Sequence, residues 1–124
     1  MPDLTFSDDG RAYFPTKYHG EVSISKEKWD RICSAPERFY YRLNGDKVAT
    51  TLISPDRVRH HRTIADQFIY YKEFDTFKIT ENVEGPGPWG RYFAVVIDTS
   101  TKRICTIYPT DTPKPGKDYK ETSE

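Results

Sequence analysis

Within the twenty residues Pro55–Phe74 stand Arg57, Arg59, His60, His61, Arg62, Tyr70, Tyr71 and Lys72. Imidazole titrates near neutrality and can give or take a proton. Guanidinium grips phosphate through paired hydrogen bonds. Phenol and ammonium groups can donate to charge building on phosphate oxygens. Placed on two short strands joined by the polar turn Thr63–Gln67, these groups could hold a phosphate and move protons around it. The chemistry they suit is metal-free RNA cleavage. A base takes the 2′-hydroxyl proton, the oxygen attacks the adjacent phosphate, and an acid protonates the departing 5′-oxygen. The same groups suit a surface that holds RNA or single-stranded DNA by phosphate contacts and stacking without cutting it. The plain alternative is a solvated hairpin with charged edges.

Two further segments bear on this chemistry. His19 precedes the first expected helix. In the closing strand, period-2 spacing sets Cys105 and Ile107 on one face and Ile104, Thr106 and Tyr108 on the other. If Cys105 and Ile107 face the helices, Thr106 and Tyr108 face an open groove. In Phe68–Phe74, either Tyr70 and Lys72 or Tyr71 and Glu73 join them; the alternation alone leaves both open. His60 or His61 can serve as base or acid, and whether His19, an arginine and Thr106 converge best separates cleavage from binding. Adjacent histidines in a strand point to opposite faces, so His60 and His61 are ill placed to chelate one ion. No carboxylate or thiol stands at zinc-like spacing, and no metal or cofactor is expected. The prolines of Gly85–Gly90 remove the amides a phosphate-cradling loop needs.

The positioning elements are read from apolar spacing. Ser25 is a good cap for a helix over Lys26–Ser34, with Trp29, Ile32 and Cys33 on one face and Pro36 redirecting the chain. A second helix is expected over Asp46–Ser54, with Asp46 as its cap and Pro55 at its end. Glu37–Asn44 fits helix or strand, and Asn44-Gly45 signals a turn. Glu21–Ser25 alternates as a short strand. After Pro55 the β-branched and aromatic runs Arg57–Arg62, Phe68–Phe74, Phe77–Thr80, Tyr92–Asp98 and Lys102–Tyr108 read as strands. The expected fold is α+β: two short helices packed on one face of a four- to five-stranded antiparallel sheet. Residues 1–17 form an arm, 18–109 the single domain, and 110–124 a disordered tail.

With 124 residues, 35% hydrophobic, the chain has room for one modest core. The formal net charge is zero, which excludes a strongly basic nucleic-acid binder and leaves any such contact to a local patch. Two cysteines without redox spacing and no signal-like N-terminus fit a cytoplasmic protein, with no membrane partner.

His19-Gly20-Glu21, the Trp29 helix, Ser54-Pro55-Asp56-Arg57-Val58, the Tyr70-Tyr71-Lys72 strand and the hairpin Phe93–Asp98 with Ile104–Tyr108 together resemble the barnase–EndoU–colicin–RelE-like superfamily, especially its phage- and mobile-element-associated small domains. The resemblance spans roughly His19–Pro109. It implies helices on a four-stranded antiparallel sheet, metal-free ribonuclease activity, RNA as substrate, and often a toxin role with an inhibitor or antitoxin partner. By the same resemblance His19 matches an early histidine, and Arg57 and Arg59 match basic positions after the Pro-Asp turn. Tyr70 or Tyr71 with Lys72 matches a Tyr-Tyr-Arg-like strand, and Thr106 the threonine of the closing strand. Lys72 stands where arginine is common, and the His60-His61 pair is not a usual feature.

Overall fold

The computed structural model describes residues 4–38, 40–61, 63–86 and 90–111. In chain order these form β1 (Arg11–Thr16), β2 (Gly20–Ser25), α1 (Lys26–Cys33), two 3-10 turns (Pro36–Arg38 and Arg42–Asn44) and α2 (Asp46–Ile53). Six more strands follow: β3 (Arg57–His60), β4 (Gln67–Glu73), β5 (Phe77–Thr80), β6 (Val83–Gly85), β7 (Tyr92–Asp98) and β8 (Arg103–Thr110). The fold is α+β, with both helices within a residue of their expected bounds. Among the described residues no helix is long and apolar enough to cross a membrane.

The sheet differs from the expectation in three ways. It has six strands, ordered β1-β2-β8-β7-β4-β3, and β5-β6 form a separate two-stranded ribbon. It is mixed, because β2 runs parallel to β8 through the pair Ser23–Arg103. It also takes in a strand N-terminal to the expected one at Glu21–Ser25. The segment expected as an arm supplies β1, whose Ala12, Phe14 and Thr16 are buried while Tyr13 and Pro15 face out. Thr110, expected in the tail, pairs with Tyr92 as the last residue of β8. Residues 112–124 of that tail lie outside the described residues.

Local chemistry explains the elements. Ser25 caps α1 by accepting the Lys28 amide at 3.0 Å, and Trp29 and Ile32 are buried beneath the helix. The cap of α2 is Gly45, in helical conformation and without a side-chain bond, so Asp46 is the first helical residue and not the cap. Asn44-Gly45 is accordingly no left-handed turn. Instead Asn44, fully buried, donates to the carbonyls of Tyr40 and Lys78 at 2.8 Å each and accepts the Lys78 amide at 2.9 Å. That clamp ties β5 to the helical layer. Gly90 is fixed by space: its φ is +137°, and a Cβ there would lie 2.2 Å from the Thr110 carbonyl carbon.

The core lies between the helices and one face of the sheet. Trp29, Val48 and Leu52 meet Phe14, Val22, Ile24, Tyr70, Phe93, Val95, Ile97 and Ile107 there. A smaller cluster of Ile69, Tyr71, Ala94 and Val96 lies on the opposite face, packed by Tyr92, Cys105 and Tyr108.

Candidate functional site

Register across four strands decides which side chains meet. Cα partners lie on the same face, so the pairings string residues into rows. Arg59, Ile69, Val96 and Thr106 form one row, and Arg57, Tyr71, Ala94 and Tyr108 the next. Both lie on the face away from the helices, the open face. The alternate rows are Val58, Tyr70, Val95 and Ile107, and His60, Phe68, Ile97 and Ile104. These lie on the helix side.

A bulge in β8 makes this arrangement possible. Val96 pairs Thr106 while Ile97 pairs Ile104, so Cys105 is the extra residue. Ile104 and Ile107 therefore both reach the core, and Cys105 joins Thr106 and Tyr108 on the open face. The expected grouping of Cys105 with Ile107 is thus reversed. For β4 the open alternative resolves to Tyr71 and Glu73.

Over the open face lies a groove of about 550 Å³. Ile69, Val96 and the ring of Tyr108 supply apolar surface, and Arg59, His61, Gln67 and Thr106 polar groups. The His61 amide donates to the Gln67 carbonyl at 2.9 Å, closing the β3–β4 connection. The His61 Nδ1 accepts the amides of Thr63 and Ile64, each at 3.2 Å. The neutral ring must then carry its proton on Nε2, which makes His61 a hydrogen-bond donor and not a base in this state. Burial, aided by the neighbouring Tyr71 phenol, holds the Tyr108 phenol well above its ordinary pKa. It stays protonated across neutral pH.

His19 sits elsewhere. Its ring stacks on Phe68 at 4.2 Å, and its Nδ1 lies 2.6 Å from the Tyr70 hydroxyl. The His60 ring leans on the same Phe68 at 4.9 Å, although His60 also borders the groove. Desolvation, with the neighbouring His60 adding to it, pushes the His19 pKa down, so it favours the neutral ring. The Tyr18 amide also bonds the Tyr70 hydroxyl, so this cluster fastens the β1–β2 turn to β4.

The sequence-derived residues thus divide between two faces. Arg57, Arg59, His61, Tyr71, Thr106 and Tyr108 share the open face; His19, His60 and Tyr70 share the helix side. His19 and Thr106 do not converge. Lys72 binds the Ser54 carbonyl at 3.0 Å and lies 3.6 Å from the Asp56 carboxylate, which fixes the end of α2. Arg62 lies outside the described residues. Tyr71 is fully buried and cannot stack on a base. Gln67, Cys105 and the apolar Ile69 and Val96 were not anticipated. Their place follows from strand register, and for Cys105 from the bulge, neither of which is written in local alternation.

No protein-family model, no curated protein and no solved structure matches this chain.

Proposed function

We propose that the open face of the sheet binds single-stranded nucleic acid, RNA in the first instance, without cutting it. The observation that carries this reading is the composition of the groove once His19 lies on the far side of the sheet. What remains is a set of donors around apolar surface: the Arg59 guanidinium, the His61 Nε2–H, the Thr106 hydroxyl and the Gln67 amide. Donors suit phosphate and base-edge acceptors, and apolar surface suits the flat faces of a base. A volume of about 550 Å³ falls in the range of pockets that hold one small ligand. The neutral net charge leaves affinity to this local patch. Fluorescence anisotropy with labelled single-stranded RNA tests it. Binding should weaken with salt, and Arg59→Ala should weaken it about tenfold, the size of one charge-assisted hydrogen bond. Wild-type protein that binds no RNA at low salt would overturn the reading.

Metal-free ribonuclease activity is the second reading, favoured by the packing of both His19 and His60 against Phe68. Pure protein incubated with total RNA and EDTA would then release cleaved ends, and His19→Ala would cut the rate by about 10²-fold or more. Growth arrest on expression, relieved by the same variant, would extend that reading to a toxin held by an inhibitor protein. Intact RNA together with salt-sensitive binding leaves the binding reading in place.

A further inference from the structure

A second depression, of about 320 Å³, adjoins the groove, and Cys105 lines both. Its cationic side chains come from three separate elements: Arg11 from β1, Lys28 from the first turn of α1 and Arg103 from the start of β8. They meet because the parallel link places Ser23 beside Arg103, with the Ser23 amide on the Lys102 carbonyl at 3.0 Å. Arg11 is oriented by its Nε–H bond to the Ser23 hydroxyl at 2.8 Å, which leaves its terminal nitrogens for another acceptor. Among the described residues none of the three forms an ion pair with a carboxylate. The one carboxylate in the depression, Asp98, already accepts bonds from the Ser100 amide and hydroxyl and the Thr101 amide.

We infer that this depression is a second phosphate subsite, so that one nucleic-acid strand crosses the sheet from Arg59 to Arg11, perpendicular to the β-strands. This rests on the groove reading above and extends it. Arg59 and Arg11 stand on the two edge strands, five strand spacings apart, or about 24 Å along the sheet. One nucleotide cannot touch both ends, whereas a short oligonucleotide can. The ligand class is therefore an extended single strand and not a free nucleotide. The bulged Cys105 lies where the strand would pass from one depression to the other.

The test compares a dinucleotide with an octanucleotide of RNA by anisotropy, across a salt series. Wild-type protein should bind the octanucleotide at least about tenfold more tightly. The Arg11→Ala, Arg103→Ala double variant should lose that advantage while its dinucleotide affinity stays unchanged. Its log–log salt slope should fall by about 1.4, twice the value of about 0.7 per phosphate on a single strand. Arg103→Glu alone, at an exposed position, should act in the same direction if the double variant folds poorly. Lys26→Ala, which removes an exposed cation paired with Asp30 on α1, should change nothing. Equal affinity for the two lengths, or a double variant that binds like wild type, overturns the second subsite and leaves the groove intact. Failure of wild-type protein to bind either RNA overturns both.

Discussion

Tyr71 and Tyr108 stand on β4 and β8 as partners of the same residue, Ala94 of β7, and all three pack in one cluster on the open face. The Tyr108 hydroxyl is buried there, beside the groove that its ring helps to line.

Tyr108→Phe keeps the ring and should change stability by no more than about 1 kcal/mol, read as a Tm within a few degrees of wild type. A pH signature accompanies it. The folded pKa of Tyr108 is raised, so its contribution is complete below the unfolded value, near 10, and is lost as pH rises above it. Tyr40, raised by burial, acts in the same direction. Urea midpoints should fall above pH 10, less steeply in Tyr108→Phe.

His19 gives the opposite limb. Its folded pKa is lowered, so its contribution is present above the unfolded value of about 6.5 and is lost as pH falls below it, when the unfolded chain takes up the proton. Urea midpoints should decline between pH 7 and pH 5. His19→Gln should flatten that decline; an unchanged slope would count against the buried neutral ring.

Gly90→Ala should cost about 3 kcal/mol, because the backbone is in a region L-residues avoid and the new methyl meets the Thr110 backbone. Loss of cooperative unfolding would be the extreme form of the same result. A variant as stable as wild type would mean that the end of β8 shifts freely away from Gly90.

Asn44→Ala should cost about 2–3 kcal/mol, since it strands the Lys78 amide and takes a donor from the carbonyls of Tyr40 and Lys78. Hydrogen exchange should then show the largest loss of protection in β5.

At His61 two substitutions separate the roles of the ring nitrogens. His61→Asn keeps an acceptor for the Thr63 and Ile64 amides and removes the Nε2–H of a residue that lines the groove. It should leave Tm nearly unchanged and weaken RNA binding about fivefold. His61→Gln should do the reverse, lowering Tm while keeping most of the binding. Identical behaviour of the pair would remove His61 from the groove's recognition set.

The sequence by itself determined the local elements. Ser25 before Lys-Glu-Lys-Trp starts α1, Pro55 ends α2, and the runs Phe77–Thr80 and Tyr92–Asp98 are strands over those very residues. These signals are written in neighbouring residues, through capping, fixed φ and side-chain alternation. Tertiary structure alone decided what the chemistry-bearing residues meet. Whether Tyr70 or Tyr71 faces the groove depends on which face of β4 the helices cover. Cys105 changes sides because one bulged residue breaks a count that alternation assumes to be unbroken. Arg11, Lys28 and Arg103 are far apart in the chain and meet only because β2 docks parallel to β8. His19 was legible as a residue apt for proton transfer, yet a stack on Phe68 and a bond to Tyr70 hold it on the far side of the sheet from Thr106. Partner choice between strands is a non-local property, set by burial of whole faces, and no window of the sequence contains it.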